Sequence, residues 1–184
     1  MTLPGEAGAN EGVVVAGLGT EYRHDDGVGA VVSHRAAGLG RARDVGPIVD
    51  PLDLLGRWDG ARLAIVVDAV RSGGSPGTIR VMDLTTAELG ADESPVTGAV
   101  APGSSEVVAR AKDTARSMSS HGIGLVGVLR LGRAVGRAPG RMVVVGVEGG
   151  DFSQGIGLSP AVEAAVPAAV LEVARLIEEE LACA

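Results

Sequence analysis

Val13-Val14-Val15-Ala16-Gly17-Leu18-Gly19-Thr20 is apolar almost without interruption and ends among glycines. Consecutive β-branched residues without polar alternation describe a strand buried on both faces, the signature of a parallel sheet covered by helices. Leu63-Ala64-Ile65-Val66-Val67-Asp68 and Met142-Val143-Val144-Val145-Gly146-Val147 repeat the pattern, so three parallel strands are expected. After the first, Gly27 to Ala37 has helical spacing through Val28, Val31 and Val32, with Asp25 or Asp26 placed to cap its first turn. Pro47-Ile48-Val49 reads as a fourth strand, Leu52 to Trp58 as a short helix, and Thr78 to Leu84 as a further strand. The turn-rich Ser72-Gly73-Gly74-Ser75-Pro76-Gly77 leading to the latter is too brief for a parallel crossover, which predicts an antiparallel pairing at a sheet edge. His121 to Val135 regains helical spacing, and Ser159-Pro160 opens a last helix to about Glu180, with Pro167 expected to kink it. Strands alternating with helices imply an α/β fold: a three-layer, twisted, mostly parallel sheet of about five strands with helices on both faces.

The chain has 184 residues, which suits one domain over 1–184 with residues 1–11 as a flexible lead. Residues 85–120 mix Gly, Ser, Pro and Ala with charge, apart from one helix around Glu106 to Arg116, and read as a functional loop or an insertion. With 23 acidic against 16 basic residues, a net charge of −7 and only Tyr22, Trp58 and Phe152 as aromatics, no basic or base-stacking face for nucleic acid is expected. Cys183 is the single cysteine, so there is no disulfide framework, and a reducing, cytoplasmic setting fits. No apolar run approaches the ~20 residues of a membrane span, and Met1 to Gly12 lacks the features of a secretion signal, so neither anchoring nor export is expected.

Several local motifs carry possible chemistry. Gly17-Leu18-Gly19-Thr20 begins like a dinucleotide fingerprint but has Tyr22 at the third glycine, and the helix starts too late to cradle a phosphate. Gly73 to Gly77 formally matches G-x-S-x-G, yet the residue after Ser75 is Pro76, which has no N–H for an oxyanion hole, so a tight hairpin turn is expected. Asp68 is different, because a carboxylate closing an apolar strand is costly unless it is solvated, paired or metal-bound. His121 precedes an apolar helix; His34 faces outward by spacing, and His24 has no assigned role. Two carboxylates and one imidazole, each at a loop on the same edge of a parallel sheet, form an O/O/N set suited to zinc or nickel. Three protein ligands would leave a coordination position open, as in a catalytic site.

The order Val-Val-Val-Ala-Gly-Leu-Gly-Thr, Asp25-Asp26-Gly27-Val28-Gly29, Val66-Val67-Asp68-Ala69, Ser120-His121, Val145-Gly146-Val147-Glu148 and Gly157-Leu158-Ser159-Pro160 resembles the hydrogenase maturation protease family from Val13 to about Leu181. The resemblance implies an endopeptidase that removes the C-terminal extension of the nickel-iron hydrogenase large-subunit precursor after nickel insertion. It carries the family's metal-sensing residues onto Asp26, Asp68 and His121, with Asp26 and Asp68 as the catalytic pair. It implies no permanent cofactor, only transient engagement of the precursor's nickel, and a monomeric enzyme. Thr20 stands where asparagine is common in the family, and the long spacing from Asp68 to His121 marks 90–118 as an insertion. The first-loop glycines Gly17, Gly19, Gly27 and Gly29 are expected to admit a partner's tail. The alternatives are a non-cleaving nickel- or precursor-binding chaperone, and a nucleotide or flavin binder on a similar sheet.

Overall fold

The computed structural model describes residues 12–39, 41–84 and 124–183. The lead at 1–11, the 90–118 segment, the Glu106–Arg116 helix and His121 lie outside the described residues. A five-stranded sheet has the order β2-β1-β3-β5-β4. Its strands are β1 (Val13–Leu18), β2 (Arg43–Ile48), β3 (Leu63–Val70), β4 (Ile79–Asp83) and β5 (Arg141–Glu148). All neighbours are parallel except β4 and β5. Among the described residues four α-helices accompany it: α1 (Val28–Ala37), α2 (Leu54–Arg57), α3 (Leu125–Ala134) and α4 (Pro160–Ala182).

The three apolar runs form the centre of the sheet because each feeds two cores at once. Val13, Val15, Leu63, Ile65, Val67, Val143, Val145 and Val147 point to one face and pack with α1 and α4. Val14, Ala16, Leu18, Ala64, Val66, Met142 and Val144 point to the other, with Leu54, Trp58, Leu125, Val128 and Leu129 from α2 and α3. The strict odd-even division is the two-residue repeat of a strand, and each buried Val, Leu or Ile contributes on the order of 1.5–3 kcal/mol. Asp68 follows the same parity, on the α2/α3 face.

The outer strands differ in detail from expectation. β2 begins at Arg43 rather than Pro47, and Val49 lies exposed beyond its end. Its polar start belongs to an edge strand, which also tolerates Pro47. β4 is antiparallel and at an edge as expected, but it pairs with β5, so the connection from β3 crosses the end of β5 and is no hairpin. That partner is supplied by a strand some sixty residues later in the chain, which local spacing cannot reveal. α4 continues through Pro167 as one 23-residue helix.

The close approach of α1 to β1 depends on two glycines. A Cβ on Gly17 would lie 2.3 Å from the backbone of Gly29, and a Cβ on Gly29 would lie 2.4 Å from Leu18 O and 2.6 Å from Val67 O. A Cβ on Gly19 would meet Asp26 O at 2.1 Å, and one on Gly27 would meet Glu21 Cα at 3.1 Å. These glycines therefore admit the chain's own backbone, which corrects the expectation that they leave room for a partner's tail. Gly17→Ala and Gly29→Ala should each destabilise by about 1–3 kcal/mol through overpacking. Gly56→Ala, in α2 with open space at its Cβ, should gain about 0.5–1 kcal/mol. Thermal midpoints of the three variants check this, at about 2–4 °C per kcal/mol for a chain of this size.

Candidate functional site

From β1 the chain goes to β2 on one side and then returns to β3 on the other, with α1 and α2 on opposite faces. The winding therefore reverses between β1 and β3, and in such sheets ligands bind beyond the carboxyl ends of the strands at that switch point. Asp26 lies in the loop that leaves β1, and Asp68 lies near the end of β3. Both are buried, at 7% and 5% exposure. The structure thus brings together two of the three residues singled out from sequence.

Asp26 sits in a single 3-10 turn, His24–Gly27, that immediately precedes α1. Its carboxylate accepts the Thr20 N–H at Oδ2 (3.0 Å), which closes the loop on itself, while the Thr20 hydroxyl accepts the Tyr22 N–H (3.4 Å). Threonine thus still holds the turn. Neither aspartate caps α1, since no side-chain cap bond is made there.

Asp68 has a contrasting environment. Its register partner in β5 is Gly146, where the Val70 side chain occupies the position a Cβ would take. Burial pushes the Asp68 carboxyl well above the usual range, and the Asp26 carboxylate adds to the rise, against a smaller opposing effect of the Ala69 N–H. Asp68 therefore keeps its proton to higher pH than an ordinary carboxyl would.

Two further buried carboxylates were not assigned a function from sequence, and both are structural anchors. Asp25 accepts the N–H groups of Gly150 and Asp151 at Oδ2 (both 2.8 Å), the Ser159 N–H at Oδ1 (2.7 Å) and the Ser159 hydroxyl at Oδ2 (2.9 Å). Burial alone would raise its pKa, but these donors outweigh it and hold the carboxylate below its ordinary value. Glu148 accepts the N–H groups of Ser72, Gly73 and Gly74 (2.7, 2.9 and 3.1 Å) and the Ser72 hydroxyl (2.6 Å). Here too the hydrogen bonds overcome burial and lower the pKa. The glycine-rich G-x-S-x-G stretch is therefore a collar around Glu148. The signal in the sequence was an acid at the end of an apolar strand, the same one that marked Asp68.

His24 takes a left-handed backbone conformation (φ 48°), and its Nδ1 lies 2.9 Å from Gly157 O. Its ring occupies the space a Cβ on Gly155 would need. His34 is on the surface, paired with Asp44 at 3.2 Å. Among the described residues no group of three or more His, Cys, Asp or Glu is arranged to hold a metal ion, and no helix is long and apolar enough to cross a membrane.

A family model described as hydrogenase maturation protease matches residues 100–176. No curated protein matches the chain. Among solved structures the chain is similar to the hydrogenase maturating endopeptidase HybD from E. coli, at 22% identity over 92% of this chain and 93% of that one, with a TM-score of 0.66. It is similar to the NiFe hydrogenase maturation protease HybD from Thermococcus kodakarensis, at 23% identity over 90% and 99% of the two chains, with a TM-score of 0.64. It is also similar to a hydrogenase 2 maturation peptidase from a Thaumarchaeota archaeon, at 26% identity over 90% and 97%, with a TM-score of 0.58. The resemblance drawn from the motifs thus reappears in a family model and in the whole fold.

The raised Asp68 pKa has a stability consequence of definite sign. Below the ordinary carboxylate pKa, Asp68 is protonated in both folded and unfolded chains and costs nothing. As pH rises, the unfolded chain ionises first, so stability is lost until the folded pKa is passed. Asp68→Asn should therefore raise the thermal midpoint near neutral pH. The gain should shrink toward zero at about pH 4, as thermal unfolding across pH 4 to 8 would read.

Proposed function

We propose that this chain is a processing endopeptidase that removes the C-terminal extension of the nickel-loaded nickel-iron hydrogenase large-subunit precursor and so permits hydrogenase maturation. The observation that carries this reading is the buried Asp26–Asp68 pair at the switch point of a sheet shared with solved hydrogenase maturation proteases. In the proposed chemistry one carboxylate takes a proton from water as its oxygen bonds to the scissile carbonyl carbon. The C–N bond then breaks, and the departing amine takes a proton from a carboxyl. A carboxyl that burial disposes to keep its proton, Asp68, beside a second carboxylate, Asp26, suits both transfers.

Nickel enters this proposal as part of the substrate. Asp26 and Asp68 supply oxygen donors, and His121, by resemblance alone, supplies a nitrogen. Burial, with the Asp26 charge, favours the protonated form of Asp68, whereas a nearby dication would favour its ionised form. The metal either polarises the scissile carbonyl or serves to recognise the loaded precursor while a carboxylate acts as base. We further propose that the enzyme acts as a monomer in the cytoplasm, without a permanent cofactor.

Incubation with nickel-loaded and nickel-free precursor should release the tail from the loaded form alone. Asp26→Asn and Asp68→Asn should each lower the cleavage rate by at least about 100-fold, the low end for loss of a general acid or base, with folding retained by circular dichroism. Failure of the wild-type chain to cut either form would overturn the endopeptidase reading. A stable complex without tail release would instead identify a precursor-binding chaperone.

A further inference from the structure

Asp25, adjacent to the proposed catalytic acid, has its carboxylate bonded entirely to a different part of the chain. All four of the hydrogen bonds its carboxylate accepts come from Gly150, Asp151 and Ser159, and the backbones of the two segments are also joined directly. The His24 N–H donates to Gly155 O (3.1 Å), the Asp25 N–H to Asp151 O (3.0 Å) and the Gly155 N–H to Tyr22 O (3.0 Å). Ser159 is the N-cap residue of α4 but makes no cap bond within that helix, and its hydroxyl goes to Asp25. The carboxylate therefore stands at the N-terminus of a 23-residue helix, where the helix dipole favours a negative charge. Asp25 is fully buried, so water cannot substitute for lost donors or acceptors.

We propose that Asp25 is a positioning residue for the cleavage reaction: by clamping the 20–27 loop to the 150–159 loop and the start of α4, it sets where the neighbouring Asp26 carboxylate sits. The proposal rests on the endopeptidase reading for its kinetic consequence, though not for its structural one. The 3-10 turn carries Asp25 and Asp26 in direct succession, so displacement of one side chain into its donors fixes the backbone from which the other projects. Asp26 in turn holds the Thr20 N–H, which gives its position a local reporter. Glu148 closes the far side of the same scaffold. Its collar includes Pro76, whose ring lies where a Cβ on Gly150 would reach (2.9 Å), and Gly150 donates to Asp25.

Asparagine cannot replace this carboxylate. The partners at Oδ1 and Oδ2 include backbone N–H groups on both sides, so either orientation of the amide sets its NH2 against a donor that cannot reverse. Ser159→Ala is milder, removing one hydroxyl donor and leaving the three backbone bonds. Val173→Ala, in the buried face of α4, serves as a control that lowers stability away from the site.

The test measures kcat and KM for cleavage of nickel-loaded precursor, together with hydrogen exchange at the Thr20 amide well below each variant's melting temperature. Asp25→Asn should lower kcat about 100-fold, the scale of a misplacement near 1 Å, with KM changed less than about threefold. The Thr20 amide should lose protection. Ser159→Ala should lower kcat by about three- to tenfold, and Val173→Ala should lower the melting temperature with kcat unchanged. Wild-type-like kcat in both site variants, or full Thr20 protection in both, would overturn the positioning role. So would a kcat fall in Val173→Ala equal to that in Asp25→Asn. Should Asp25→Asn fail to fold, Ser159→Ala decides the matter alone. A wild-type chain that cuts nothing sinks the endopeptidase reading, and Thr20 exchange then decides whether Asp25 positions Asp26.

Discussion

The near-contact of the Gly17 and Gly29 backbones sets the geometry on which the site depends. With no Cβ at either position, the first turn of α1 can lie directly against β1 and approach the Leu18 and Val67 carbonyls. The loop between strand and helix must then fold tightly, and its 3-10 turn delivers Asp26 to the carboxyl edge of the sheet beside β3. A side chain at either glycine would drive helix and strand apart, and the separation between Asp26 and Asp68 would change with them. The switch of winding between β1 and β3 leaves the crevice, and the glycine contact determines what lines it.

Among the described residues four carboxylates are buried, and their surroundings divide them. Asp25 and Glu148 each face a ring of N–H and hydroxyl donors, which stabilises the ionised form and uses the charge to hold loops together. Asp68 has one favourable backbone N–H against full burial and a second negative charge, and its proton is held correspondingly more tightly. Burial is common to all of them, so the number and aim of donors decide which carboxylates are structural and which are chemically poised. The poised group is a local source of instability inside an otherwise apolar strand. That cost is borne by the two cores that pack on either face of the same strand.

The central strands were legible because β-branched runs of six to eight residues have few other stable uses, and Asp68 stood out as a carboxylate closing such a run, as Glu148 also does. Asp26 was legible through the order of motifs that resembles hydrogenase maturation proteases. The β4 partner was misread, because the number of residues in a connection limits strand direction but not which strand comes between. Proximity in sequence suggested Asp25 or Asp26 as a cap for the nearest helix, α1, but neither caps it, and the donors of Asp25 lie about 130 residues away, before and at the start of α4.

By itself, then, the sequence determined the α/β class, the inner strands and the carboxylates worth weighing, because strand burial and helical spacing are written in local residue patterns. Tertiary structure alone decided the strand order, the inward use of the first-loop glycines, and the contrast between Asp25 and Glu148, held by converging donors, and Asp68, which has few. Those outcomes depend on which backbone N–H groups converge on which oxygen, and convergence across such separations is a property of the folded chain.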